Sequence, residues 1–288
     1  MLFDDTTAPA AIDPALEAEF SLRRRHPERE AIYADYRRRS AAFRASAGCL
    51  PDLPYGPGVR TRLDVFPAGA GAPILVFIHG GYWRALDKAD FSFMAAPYVR
   101  AGISVVMPGY DLTPAVSLGI IVGQLRTAFD WVLRHAATFG ADAGRIVLSG
   151  HSAGGHLAAA LALDAAAPAG LRGVVGVSGV FDLVPLLRTS INADLRLCPA
   201  AAAELSPLHR LVAAGQAPAM PLLAVVGALE TDGFRGQSRT FVAAWQRAGG
   251  TARYQEIAGM THFSILDAIT GAGPVLAAVC DLLGGQPT

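Results

Sequence analysis

The chain has 288 residues, 52% of them hydrophobic, and its 24 basic residues balance its 24 acidic residues. This length is typical of one α/β domain with additional segments, and the lack of net charge argues against a nucleic-acid or anionic-membrane partner. No apolar run is long enough for a membrane span, and residues 1–14 carry acids where a secretory signal peptide would carry bases. Three scattered cysteines without metal-binding spacing complete the expectation of a cytoplasmic protein without structural zinc.

The N-terminal part, residues 14–46, carries charged side chains at helical spacing and predicts one or two amphipathic helices. Its arginine runs are interleaved with Glu28 and Glu30, which favours a solvated helix face over an RNA-binding surface. From residue 60 onwards, apolar runs alternate with helical patterns. The predicted strands are 60–66, 73–79, 103–110, 145–150, 172–179, 221–227 and the more polar 251–257.

This alternation predicts an α/β fold with a mostly parallel sheet, helices on both faces, and functional groups at the carboxyl ends of the strands. Residues 181–215 interrupt the rhythm with prolines and short helical stretches. We expect them to form a small cap together with the N-terminal helices. We expect residues 1–288 to be a single domain, with 1–50 as a helical extension and 60–285 as the core.

A candidate nucleophile lies in the segment GHSAG at 150–154, which matches the pattern G-x-S-x-G. The pattern alone is weak evidence, but here an apolar strand precedes it and a helix of small residues follows it. That strand–turn–helix context is what a nucleophile elbow requires, and it sets the hydroxyl of Ser152 at a helix N-terminus. The alternative, that Ser152 only caps the helix, does not explain the flanking glycines.

The segment HGGYW at 79–83 follows the strand 73–79 and is a candidate oxyanion hole. Two consecutive glycines allow the backbone N–H groups of Gly80 and Gly81 to converge with that of Ala153, which follows the nucleophile. A simple glycine turn between strand and helix is the alternative interpretation. We expect His79 to hold this loop by hydrogen bonding.

The base and the acid should follow the nucleophile in the order acid, then histidine. His262 lies in a loop after the last predicted strand, which favours it as the general base over His209 in the irregular segment. The acid should follow strand 221–227, where Glu230 and Asp232 both occur, and spacing does not separate the two. His156, one helical turn beyond Ser152, is expected to pack in the core.

Taken together, these motifs resemble the kynurenine formamidase (arylformamidase) branch of the hormone-sensitive-lipase-like α/β-hydrolases. The resemblance covers most of residues 15–270, and HGGYW is its most specific motif. The matching segments are HGGYW at 79–83, YDLTP at 110–114, GHSAGGHLA at 150–158, SGVFDL at 178–183, ETDGFRGQS at 230–238 and THFSIL at 261–266.

The resemblance implies the α/β-hydrolase fold and a catalytic triad of Ser152, Glu230 and His262 that needs no metal or organic cofactor. It selects Glu230 because the family has a carboxylate four residues before the Phe of its F-x-x-Q-S element. The family often has Asp there, so Glu is a departure in length but not in chemistry. Asp182 matches a family acid that is either structural or lines the pocket.

The implied function is hydrolysis of N-formyl-L-kynurenine, in tryptophan breakdown, through a formyl-serine intermediate. A promiscuous short-acyl carboxylesterase of the same fold is the alternative, whereas retention of the triad argues against a non-catalytic ligand receptor. Tyr82 and Trp83 are expected either to bind an aromatic substrate or to pack the loop, and Arg84 and Arg188 are candidates for its charged end. The expected partner is a small-molecule substrate, and a homodimer is compatible with the sequence.

Overall fold

The computed structural model describes residues 11–46, 48–164, 170–271 and 273–284. Most of the segment 1–14, where a signal peptide was considered, therefore lies outside the described residues. The strands are β1 (Leu50–Pro54), β2 (Arg62–Phe66), β3 (Ala72–Ile78), β4 (Ser104–Pro108), β5 (Ala141–His151), β6 (Leu171–Val177), β7 (Leu222–Gly227) and β8 (Ala252–Ile257).

Helices connect most of these strands. They are α1 (Pro14–Phe20), α2 (Arg29–Ser46), α3 (Ala95–Arg100), α4 (Leu118–His135), α5 (Ala153–Ala162), α6 (Asn192–Leu195), α7 (Pro199–Leu205), α8 (Pro207–Ala214), α9 (Asp232–Arg247), α10 (Ile265–Ile269) and α11 (Pro274–Leu282). Short 3₁₀ helices occupy Lys88–Met94, Ala136–Phe139 and Val184–Arg188. No helix in the described part of the chain combines the length and the apolar character that a membrane crossing requires.

The strands form one sheet in the order β1-β2-β4-β3-β5-β6-β7-β8, in which β3 to β8 are parallel and β1 and β2 are antiparallel to their neighbours. The predicted mostly parallel sheet is thus confirmed. All seven predicted strands are present, with ends that differ from the prediction by at most four residues.

The edge strand β1 was not predicted from the sequence. Its sequence LPDLP contains two prolines, which remove backbone donors and are tolerated only at the edge of a sheet. The strand is also irregular, because Asp52 has φ +55° and the register with β2 shifts between Leu50 and Leu53. A short, proline-containing and bulged strand lacks the apolar alternation by which the other strands are recognised.

Helices cover both faces of the sheet because successive side chains of a buried strand point to opposite sides. In β3, Ile74 and Val76 pack with α4, α5 and α9, whereas Leu75 and Phe77 pack with α2, α3, α10 and α11. The segment 181–215 forms a 3₁₀ helix and three short α-helices on the first of these faces, in agreement with the predicted short helical stretches. Each face therefore has its own apolar core.

A buried ion cluster joins the N-terminal helices to the edge of the sheet. Asp64 in β2 has no exposed surface, accepts hydrogen bonds from Lys88 Nζ at 2.8 Å and from the backbone N–H of Asp52 at 2.9 Å, and pairs with Arg44 of α2. A buried carboxylate is costly unless such partners compensate it. Asp52 also pairs with Lys88, at 2.7 Å, but 59% of its side chain is exposed.

We expect Asp64→Asn to lower the free energy of unfolding by about 3–5 kcal/mol, because it leaves Arg44 without its counter-charge and buried Lys88 with only the exposed carboxylate of Asp52. The matched variant Asp52→Asn removes an exposed carboxylate from the same lysine and should cost less than about 1 kcal/mol. Urea unfolding followed by circular dichroism measures both. An equal decrease in the free energy of unfolding in the two variants would show that burial of Asp64 does not increase its contribution to stability.

Candidate active site

The turn between β5 and α5 holds Ser152 in a strained backbone conformation. Ser152 has φ +56° and ψ −116°, which is unusual for a residue with a side chain, and α5 begins at the next residue. Gly154 is required here, because a Cβ at this position would lie 2.0 Å from the carbonyl oxygen of Ile78. The structure therefore has the strand–turn–helix geometry expected of a nucleophile elbow.

The HGGYW loop lies directly beside this turn because the ends of β3 and β5 are paired, Ile78 with Gly150. A Cβ built on Gly80 would be only 3.2 Å from Cβ of Ser152. Gly81, Tyr82 and Trp83 all have positive φ, of +114°, +51° and +55°. The chain thus makes a tight turn that keeps its backbone against the serine.

His79 holds this loop in place, as expected. Its Nδ1–H donates to the carbonyl of Gly80 at 2.8 Å, and the hydroxyl of Tyr110 donates to the carbonyl of His79 at 2.9 Å. The imidazole stacks on the ring of Tyr110 with a centroid distance of 4.3 Å. Burial lowers the pKa of His79 to about 4, so the ring is neutral at physiological pH.

His262 and Glu230 form a buried acid–base pair. His262 Nδ1 donates to Oε2 of Glu230 at 2.7 Å, and the two residues are only 3% and 5% exposed. This bond fixes the proton on Nδ1 and leaves Nε2 as a proton acceptor, which is the tautomer that a general base needs. The other oxygen of Glu230 accepts hydrogen bonds from Ser178 Oγ at 2.5 Å and from Gly227 N at 2.7 Å.

The two acids that spacing did not separate have different environments. Asp232 lies in the first turn of α9, pairs with Arg235 at 2.5 Å, and has a side chain that is 79% exposed. It makes no contact of the kind that joins Glu230 to His262. The structure thus brings Glu230, and not Asp232, to the histidine.

Ser178, which donates to the oxygen of Glu230 that does not face His262, was not predicted from the sequence. Ser178 is the first residue of the motif SGVFDL, which is the sequence signal that could have identified it. The side chain of Gln237 binds this motif. Gln237 Oε1 accepts from the backbone N–H groups of Phe181 and Asp182 at 2.8 and 2.7 Å. The glutamine of F-x-x-Q-S therefore helps to hold the loop that carries Ser178.

His151 is a second unpredicted residue of the site. Its Nε2–H donates to the carbonyl of His262 at 2.9 Å, which ties the elbow to the loop that carries the candidate base. Burial, and then the charge of nearby His262, lower the pKa of His151 well below its usual value. A neutral ring in this position adds no positive charge next to His262.

The other two histidines considered lie elsewhere. His156 is buried and donates from Nε2 to the carbonyl of Leu205 at 2.9 Å, as the expected packing role requires. His209 pairs with Asp182 at 3.2 Å, with 40% of its side chain exposed. Asp182 also accepts a hydrogen bond from the backbone N–H of Val184, so its contacts are structural.

Ser152 and His262 line one cavity of about 270 Å³. Its walls come from the HGGYW loop, from the N-terminal helices and from Ile191 in the 181–215 segment, as the predicted cap implies. Tyr82 lines the cavity and donates from its hydroxyl to the carbonyl of Phe20 at 2.7 Å. Trp83 does not line it: its side chain is fully buried against His156, so its role is loop packing rather than substrate binding.

The two arginines considered for a charged substrate also differ. Arg84 lines the cavity and pairs with Asp194 at 2.5 Å. Arg188 pairs with Asp13 at 3.2 Å and is not part of the cavity lining. Only the first is placed to meet a bound molecule.

Comparison with known proteins agrees with this architecture. The model of a protein family described as having the alpha/beta hydrolase fold matches residues 75–266. The chain belongs to this family. The match covers the HGGYW loop, the turn that carries Ser152, both candidate acids and the candidate base.

Named relatives of this α/β-hydrolase include formamidases and esterases. It is 32% identical to a kynurenine formamidase of Salmo salar over 78% of each chain, so the resemblance inferred from the motifs is confirmed. It is 30% identical to Esterase LipQ of Mycobacterium tuberculosis over 84% of this chain and 63% of the relative. A solved structure of a candidate thioesterase from Silicibacter sp. TM1040 is 32% identical, has a TM-score of 0.75, and is matched over 87% of this chain and 93% of its own.

We expect Glu230→Gln to lower kcat/KM for p-nitrophenyl acetate by about 10³–10⁴-fold, because the imidazolium formed during the reaction loses its counter-charge. Asp232→Asn, which neutralises the exposed neighbouring acid, should change kcat/KM by less than about threefold. Steady-state kinetics on both variants tests the choice. A larger loss for Asp232→Asn would transfer the acid's role to that residue.

Proposed function

We propose that this α/β-hydrolase is a serine-dependent arylformamidase that converts N-formyl-L-kynurenine to L-kynurenine and formate. The observation that carries the proposal is the 2.7 Å bond between His262 and Glu230 beside the cavity that Ser152 lines. The choice of substrate rests on the kynurenine formamidase of Salmo salar, with which the chain shares 32% identity.

In the proposed mechanism, Ser152 Oγ attacks the formyl carbon while His262 Nε2 takes the hydroxyl proton. The negative charge that develops on the formyl oxygen is stabilised by the N–H groups of Gly80, Gly81 and Ala153. Glu230 stabilises the imidazolium of His262. The imidazolium then gives its proton to the aryl nitrogen, the C–N bond breaks, and the arylamine leaves.

The formyl-serine that remains is hydrolysed by the same groups. His262 takes a proton from water, the resulting hydroxide adds to the formyl carbon, and the proton returns to Ser152 Oγ as formate departs. The HGGYW loop binds the oxyanion in both halves of the reaction. Its preorganisation by His79 and Tyr110 supports this role, because fixed donors need not reorient as charge develops.

A short-acyl carboxylesterase is the second candidate function. An arylamine is a better leaving group than an alkylamine, so a site that cleaves aryl formamides should also cleave activated esters. The similarity to Esterase LipQ favours this alternative. Hydrolysis of a formamide, however, is the activity that the relative with higher identity carries in its name.

We also propose that residues 1–288 act as a single domain in the cytoplasm. The sheet is shared by both apolar cores, and the N-terminal helices pack against it and against the active-site loops. Cys49, Cys198 and Cys280 are free thiols in the structure, which suits a reducing compartment.

We expect kcat/KM for N-formyl-L-kynurenine of about 10⁴ M⁻¹s⁻¹ or more, unchanged by EDTA, when it is measured beside p-nitrophenyl acetate on one preparation. Ser152→Ala should lower kcat/KM for both substrates at least about 10³-fold while leaving the circular dichroism spectrum unchanged. Rapid ester cleavage with negligible formamide turnover would instead establish the carboxylesterase.

A further inference from the structure

The mouth of the cavity at Ser152 is more basic than the chain as a whole. Arg23, Arg29, Arg37 and Arg84 line it, and Glu30 is the only carboxylate among its lining residues. The whole chain has no net charge, so this excess is local. A concentration of positive charge at a cleft favours the binding of a ligand that places an anionic group there.

Two of the four arginines already have counter-charges. Arg84 pairs with Asp194 at 2.5 Å, and Arg29 pairs with Glu30 at 2.9 Å. Arg29 also donates to the carbonyl of Arg23 at 2.6 Å, so it supports the turn between α1 and α2. These contacts give Arg29 and Arg84 a structural role that does not depend on a ligand.

The other two, Arg23 and Arg37, are exposed and form no ion pair with any other residue that the structure describes. Each nevertheless faces the cavity mouth. Their neighbours Arg24 and Arg38 do not line the cavity, and Arg38 pairs with Asp35 at 2.5 Å. Two cationic groups are therefore available to a ligand at this position.

The helix that carries Arg37 is fixed relative to the candidate base. Tyr36 donates from its hydroxyl to the carbonyl of Phe263 at 2.7 Å, and Ser40 Oγ donates to the carbonyl of Asp90 at 2.8 Å. Tyr33, one helical turn before Arg37, lines the same cavity and packs edge-on against Phe263 at a centroid distance of 5.7 Å. One face of α2 thus runs from the loop of the base to the cavity mouth.

We propose that Arg37, assisted by Arg23, binds the carboxylate of an amino-acid group on the substrate's leaving arylamine. A guanidinium and a carboxylate can form two parallel hydrogen bonds, a geometry that lysine cannot supply. The inference rests on the proposed arylformamidase activity. It names the residues by which the enzyme would discriminate aryl formamides that carry an amino-acid group from those that lack one.

The test compares N-formyl-L-kynurenine with N-(2-acetylphenyl)formamide, which has the same aryl formamide and ketone but lacks the amino-acid group. Arg37→Gln should raise KM for N-formyl-L-kynurenine at least about fivefold and leave kcat and the neutral substrate within about twofold. Arg23→Gln should act in the same direction with a smaller effect. The controls Arg38→Gln and Arg24→Gln remove the same charge outside the cavity and should change neither substrate.

Two results would overturn the proposal. An equal rise in KM for both substrates would show that Arg37 shapes the cavity without recognising charge. An effect of Arg38→Gln as large as that of Arg37→Gln would show that the overall positive charge of α2, and not a specific contact with Arg37, affects substrate binding.

A second measurement separates failure of the subsite from failure of the proposed function. L-kynurenine and 2-aminoacetophenone, which differ by the amino-acid group, are compared as inhibitors of p-nitrophenyl acetate hydrolysis. The subsite predicts that L-kynurenine inhibits at least about fivefold more strongly, and that Arg37→Gln abolishes this difference. If L-kynurenine inhibits more strongly but no formamide is hydrolysed, the subsite is retained and the arylformamidase activity is rejected. If both compounds inhibit the unmodified protein equally, the subsite is rejected even if formamides are hydrolysed.

Discussion

The parallel pairing of β3 with β5 is the constraint on which the candidate site depends. The pairing continues to Ile78 and Gly150, so the HGGYW loop and the serine turn leave the sheet side by side. β6 pairs with the other edge of β5 up to His151, and the loop after β6 supplies Ser178. Because β7 pairs with β6, the loop after β7 then brings Glu230 within 2.5 Å of Ser178 Oγ. The register of four adjacent strands therefore determines where the candidate oxyanion donors, nucleophile and acid meet.

Strained backbone is concentrated at the ends of these strands. Ser152, Tyr82, Trp83 and Ser178 all have positive φ, which costs free energy for residues with side chains. Burial of apolar side chains offsets this cost. The ring of Trp83, for example, is fully buried against His156 and anchors the strained loop. Of the two roles that the sequence left open for Trp83, substrate binding or loop packing, the structure thus shows packing.

Much of this could be predicted from sequence because each feature has a local signal. Alternating apolar runs gave seven strands, and glycines with a serine between strand and helix gave the elbow. Features that depend on contacts between distant segments could not be predicted in this way. Spacing left Glu230 and Asp232 equivalent, and the family resemblance alone selected Glu230. The fold supplies the physical reason, because Glu230 is buried beside His262 while Asp232 faces solvent. His151 was missed for the same reason, since its partner lies 111 residues away.

The N-terminal helices illustrate the same limit more strongly. The sequence predicted that they contribute to a small cap, but it indicated only a solvated face for their charged residues. In the structure α1 packs on α9, where Glu19 accepts from the N–H of Gly233, close to the candidate acid Glu230. α2 contacts the loop of the candidate base His262, because Tyr36 donates to the carbonyl of Phe263. The two helices thus contact the segments next to Glu230 and His262, and polar residues of α2 and of the turn after α1 line the cavity. Under the proposed function, charges that look like solubilising groups in the sequence take part in selecting the substrates that reach Ser152.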